Sequence, residues 1–181
     1  MSTDDLASVL AQDHLVLSRI CTELETDHGS PENRREVADH LIAQLVRHEV
    51  AEEPYLPPGP AALHGADGLM RRLEGLGPQD ARFERLLATL IHAVRRHLRE
   101  AGPAVTGLRN RHPAARLREL GRDILETRQA ADSLPHPAIA DRTPPNALLR
   151  TGPGFVDRVR AALTPSTEDR SQPAATGRPR G

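Results

Sequence analysis

The sequence predicts an all-α protein, and three observations carry that prediction. The apolar residues are mainly Ala and Leu, both good helix formers. Aromatics amount to one Tyr, two Phe and no Trp, too few for the aromatic and β-branched surface of a sandwich or barrel. Apolar residues also recur at three- and four-residue steps through most of the chain before the proline-rich end. The expected architecture is an antiparallel four-helix up-and-down bundle over 1–111, an additional helix over 112–132 and a Pro-rich tail over 133–181. A length of 181 residues suits one domain with a tail.

The elements follow in order. Helix 1 is expected over Asp4–Glu25, with a stripe of Leu6, Leu10, His14, Leu17, Cys21 and Leu24. Helix 2 is expected over Pro31–Glu53, with Ser30 suited to the N-cap and Pro31 to the first turn. Its stripe is Val37, Leu41, Leu45, His48 and Glu52; Pro54 and the Pro57–Pro58 pair stop it. Helix 3, over Pro60–Leu76, is interrupted by Gly65 and Gly68 and turns Ala62, Ala66, Leu69, Leu73 and Leu76 inward. Helix 4 is expected over Asp80–Glu100, with Phe83, Leu87, Leu90, Val94, His97 and Ala101 on one face and Gly102–Pro103 as its stop. A fifth helix over Pro113–Ala131 carries Leu117, Leu120, Ile124 and Leu125. Eight of the sixteen prolines fall in 134–181. That segment is expected to be extended, with one short helix near Gly154–Leu163 and a disordered end over Pro165–Gly181.

Several classes of function are excluded. A net charge of -1 and the lack of aromatic platforms argue against nucleic acid as a partner. No uncharged run approaches the ~18 residues of a membrane span, and the acidic start MSTDDLASVL lacks a signal peptide's basic region. A cytoplasmic protein without membrane contact is expected. All 24 basic residues are Arg, which reflects genome composition rather than function. The single cysteine, Cys21, excludes an intramolecular disulfide and a Cys-rich metal site; on the helix 1 stripe it reads as a buried structural thiol. There is no glycine-rich phosphate loop and no G-x-S-x-G elbow.

The chemistry lies in the histidines. His14, His48 and His97 each occupy a stripe position where the period calls for an apolar residue, and Glu52 does so one turn after His48. A single histidine on a helix stripe is usually a satisfied core or boundary residue. Three histidines and a carboxylate on three helices can instead converge at one depth, as metal sites in helix bundles do. Imidazole and carboxylate suit iron, zinc or manganese. His28, His112 and His136 fall at turns or in the tail and read as solvated; His40 and His92 lie off the stripes.

Three segments resemble the bacterial hemerythrin-like (HHE cation-binding) family: AQDHLVLSRI around His14, HEVAEE from His48 followed by Pro58, and ARFERLLATLIHAVRRHLRE around His97. The resemblance covers about Leu6–Arg111, and the segments LPHPAIADRTPPNALL and GPGFVDRVRAAL are similar to the C-terminal extension of one bacterial subgroup. It implies a four-helix bundle around a non-haem di-iron centre, and His14, His48, Glu52 and His97 match the family's ligand positions. Two family positions do not match. A helix 3 histidine would stand near Ala66, two residues from His64, and a helix 4 carboxylate would stand at Ala101, beside Glu100.

Three outcomes stay open. One is a mononuclear site at His14, His48 and Glu52, with or without His97. A second is a di-metal site completed by His64 and Glu100, and the third is no metal at all. The corresponding functions are a cation-binding protein that binds dioxygen or nitric oxide, handles iron or senses redox state, and a metal-free helical interaction module. A hydrolytic role with Glu52 as base ranks below both, since no nucleophile motif accompanies it, and binding is preferred to catalysis.

Overall fold

The computed structural model describes residues 5–26, 29–56, 63, 65–133 and 154–163, and over these the chain is all-helical. The helices are α1 (Leu6–Thr26), α2 (Pro31–Glu52), α3 (Ala66–Glu74), α4 (Phe83–Arg111), α5 (Ala114–Ser133) and α6 (Phe155–Leu163). The expected starts of helices 1 and 3, and the tail over 134–153 and 164–181, lie outside the described residues.

Local chemistry sets the helix starts. Asp5 Oδ1 accepts the Ser8 amide at 2.7 Å ahead of α1, and Ser30 Oγ accepts the Asn33 amide at 3.2 Å ahead of α2. Gly65 stands at the head of α3 with φ +90, the left-handed region that only glycine enters at no steric cost. Among the described residues the helix begins at Ala66, after Leu63 and Gly65, which the expected range included; the rest of that expected start lies outside the described residues. Its inward face is also rotated from expectation. Ala66, Met70 and Leu73 are buried, while Leu69 and Leu76 are only partly so.

The larger correction concerns α4, which runs through Gly102–Pro103 to Arg111 instead of stopping there. A proline inside a helix costs about 3 kcal/mol. Val105 and Leu108, beyond it, are almost wholly buried, and each contributes roughly 1.5–3 kcal/mol on burial. Packing outweighs the local preference. In α5, Leu117 and Leu120 are buried, but Leu125 is 40% exposed and takes no part in the core.

α1 packs against α2, α4 and α5, and α3 packs against α4. Arg34, near the start of α2, donates to the Leu24 carbonyl near the end of α1 at 3.1 Å. Arg109, near the end of α4, reaches Asp5 ahead of α1 at 3.0 Å. The short α6 packs against α2, α3 and α5. Contact with both α1 and α6 widens the buried face of α2, which takes in Ala38, Ile42, Ala43 and Val46 besides Leu41, Leu45, His48 and Glu52, while Val37 of the expected stripe is only partly buried.

The core has two parts. One apolar cluster includes Leu17, Cys21, Leu41, Leu45, Met70, Phe83, Leu87, Leu90 and Val94. The other includes Leu6, Leu10, Ala51, Val105, Leu108, Leu117 and Leu120. Along α1, α2 and α4, His14, His48 and His97 fall at the step from one cluster to the other. Two apolar clusters thus meet across a polar layer. Cys21 is fully buried, and burial pushes its thiol up to about 11, as suits an inert packing residue.

Candidate metal centre

The polar layer is built from three helices. α1 supplies His14, α2 supplies His48 and Glu52 one turn apart, and α4 supplies His97. The four offer donor atoms that all lie within 4.8 Å of one another. His48, Glu52 and His97 are buried, and His14 is half-buried. The ring centroids of His14 stand 4.8 Å from His48 and 5.3 Å from His97, both edge-on. All four residues singled out from the sequence are thus brought to one place, and this group can hold a metal ion.

The distances bear on that fit. His48 Nε2 lies 2.9 Å from His97 Nε2 and 2.9 Å from Glu52 Oε2, and His97 Nε2 lies 3.2 Å from the same oxygen. Donors placed 2.0–2.2 Å from a shared ion stand about 2.9–3.5 Å apart. A ring nitrogen carries at most one proton, and an ionised carboxylate carries none. Two protons therefore cannot satisfy all three contacts, because one pair of like groups is left facing each other. A shared cation removes that conflict.

Two further atoms have no hydrogen-bond partner: His14 Nε2 and Glu52 Oε1, both buried. A buried acceptor left without a partner costs about 1–3 kcal/mol, so native structures rarely keep one without cause. These orphaned donors belong to the same cluster, and their chemistry is that of a metal-ligand set.

Without an ion the cluster is strongly polarised. Burial opposes charge on His48, but its contacts with Asp13 and Glu52 outweigh burial and raise it to about 9. Burial likewise opposes charge on Glu52, and His48 and His97 overcome it and hold the carboxyl at about 2. His14 is driven down to about 4 by burial and by the two neighbouring histidines. Its imidazole is therefore neutral at pH 7, with a lone pair to offer.

Among the described residues no other candidate position joins the cluster. Glu100 is exposed on α4, and His64 lies outside the described residues. Ala66 and Ala101, where the family resemblance placed further ligands, are buried apolar residues. Glu53 is exposed, and Glu49 accepts a 3.0 Å bond from Arg160 of α6.

Sequence reasoning missed the residues around the cluster. His48 Nδ1 faces Asp13 Oδ2 at 3.4 Å. Asp13 in turn is gripped by Arg128 of α5 through bonds of 3.0 and 2.6 Å to its two oxygens. An acid beside a stripe histidine was the available signal for Asp13. Nothing local marks Arg128, which is 115 residues away in sequence.

No protein-family model, curated protein or solved structure matches the chain.

Proposed function

We propose that the protein binds a single metal ion at His14, His48, Glu52 and His97, in a hemerythrin-like four-helix bundle formed by α1–α4. The observation that carries this reading is the pair of orphaned buried donors, His14 Nε2 and Glu52 Oε1, in the same cluster as three mutually crowded ones. One ion, rather than two, is favoured by the buried apolar side chains at Ala66 and Ala101 and by the exposure of Glu100. Three imidazoles and one carboxylate suit iron, zinc or manganese. An iron ion held there supplies Lewis acidity, one-electron redox chemistry and affinity for small neutral ligands such as dioxygen or nitric oxide.

The chain's own contribution is definable. The two apolar clusters flanking the polar layer keep bulk water from it. Glu52 offsets positive charge, and His14, half-buried, marks the side open to a small ligand. Iron handling, redox sensing or gas binding follows from such a site.

A second reading has its own support. Glu52 Oε2 contacts both His48 and His97, and an ion pair of this kind can persist in a metal-free helical interaction module. Elemental analysis of protein purified without chelator or metal-carrying affinity tag separates the readings. About one ion per chain, lost in His48→Ala, is the expected result. About two would restore the di-metal arrangement, and none would favour the metal-free module.

A further inference from the structure

The contacts of α5 point to a role that its place outside the bundle does not suggest. Arg128 presents its planar fork to Asp13, with Nη1 donating to Oδ1 at 3.0 Å and Nη2 donating to Oδ2 at 2.6 Å. Nη2 also donates to the Arg47 carbonyl at 3.3 Å, in the residue just before His48. Asp13 and Arg128 are both largely sheltered, with side-chain exposures of 16% and 11%. Of the two Asp13 oxygens, Oδ2 is the one that faces His48 Nδ1, at 3.4 Å.

We infer that Arg128 and Asp13 are positioning residues that orient His48 for metal binding and complete the site from α5. The inference rests on the metal reading above. A histidine ligand whose second nitrogen donates to a carboxylate is locked in ring orientation and in tautomer. With the Nδ1 proton directed at Asp13, release of the Nε2 proton on metal binding leaves that nitrogen's lone pair toward Glu52 and His97. Asp13 can serve only if it is itself held, and a bidentate arginine holds both its oxygens at once. The bond from Arg128 to the Arg47 carbonyl ties α5 to the turn of α2 that carries His48. The additional helix thereby supplies part of the site.

The test uses the full chain and cobalt(II) alone as the probe. Affinity is read by competition with a chelator, and ligand geometry by the cobalt visible spectrum. Asp13→Asn and Arg128→Met are each expected to weaken cobalt binding about 10- to 100-fold. Each should shift the spectrum, while Arg128→Lys, which keeps the charge but loses the fork, gives an intermediate loss. The double variant should lose no more than Asp13→Asn alone, because both act through one histidine.

Leu120→Ala separates positioning from mere support. Leu120 is 5% exposed and packs α5 into the apolar cluster with Leu6, Leu10 and Leu108. That variant should lower the melting temperature but leave cobalt affinity within about 3-fold. Equal weakening by Leu120→Ala and Arg128→Met would overturn the inference, as would unchanged affinity in Asp13→Asn. Those results leave the metal site itself standing. A wild-type chain that binds no cobalt removes both.

Discussion

Removing the Glu74 carboxylate should release α6 from the rest of the molecule. Glu74, at the end of α3, accepts the Gly154 amide through Oε1 and the Val156 amide through Oε2, both at 3.0 Å. It is therefore the acceptor for the first turn of α6, whose helix start also favours a negative charge. A hydrogen bond to a charged group contributes about 1.5–3 kcal/mol. In Glu74→Ala the Gly154 amide, only part-buried, recovers some of its loss from water, and the buried Val156 amide does not. The net weakening of α6 docking is about 2–4 kcal/mol, or roughly 30- to 700-fold in the undocked population at 1.4 kcal/mol per decade.

Native-state amide exchange reads this directly: peptides over 155–163 should exchange faster by that factor, while those of α1 change little. The ion pair between Arg71 and Asp157 provides the contrast. Its two bonds of 2.6 Å look stronger, but both side chains are well exposed, and Arg71→Met should weaken docking by less than about 1 kcal/mol. Equal protection of α6 in Glu74→Ala and wild type would refute the reasoning. So would a larger effect from Arg71→Met.

Other expectations follow from the same contacts. Arg35 and Asp39 are a buried pair, with Arg35 also donating to the Leu73 carbonyl at 2.6 Å and lying over the Phe83 ring. Arg35→Met should cost about 3–5 kcal/mol in urea unfolding, and the double change Arg35→Met with Asp39→Leu should cost less than the single one, because no charge is left stranded. Leu17→Ala, at a fully buried position, should cost about 2–5 kcal/mol, whereas Leu125→Gln should stay within about 0.5 kcal/mol. Asp80 accepts the Arg82 amide at 2.8 Å, and its Arg82 contacts hold its carboxyl at about 2 against an ordinary 3.8. Because the folded value is the lower one, its contribution is present above pH 3.8 and is lost as pH falls through about 2. Melting-temperature differences between wild type and Asp80→Asn should accordingly shrink from pH 5 to pH 2.

Much of this structure is legible in the sequence, and the exceptions share one cause. The start of α2 is set by local residues, so Ser30 at the cap and Pro31 in the first turn place it. The polar layer is legible for the same reason: His14, His48, Glu52 and His97 interrupt stripes that are otherwise apolar, and period alone puts them on inward faces. Errors arise where a distant partner decides. Nothing near Pro103 announces that Val105 and Leu108 will be buried against α1 and α5. The face of α3 turns on Met70 rather than Leu69 because α6 packs beside it. Asp13 acquires its role only when Arg128 arrives from α5.

The central claim is that the His14, His48, Glu52 and His97 cluster holds a metal ion. Its most direct test is a calorimetric titration of zinc, manganese or ferrous iron into metal-free protein, paired with thermal melts and with His48→Ala as control. The account predicts a stoichiometry near one. At a metal concentration about 100 times the dissociation constant, the ion stabilises the fold by about 2.7 kcal/mol, which for a chain of this length raises the melting temperature by roughly 5–11 °C. His48→Ala should abolish both effects. No heat of binding and no rise in melting temperature with any of the three ions would contradict the account.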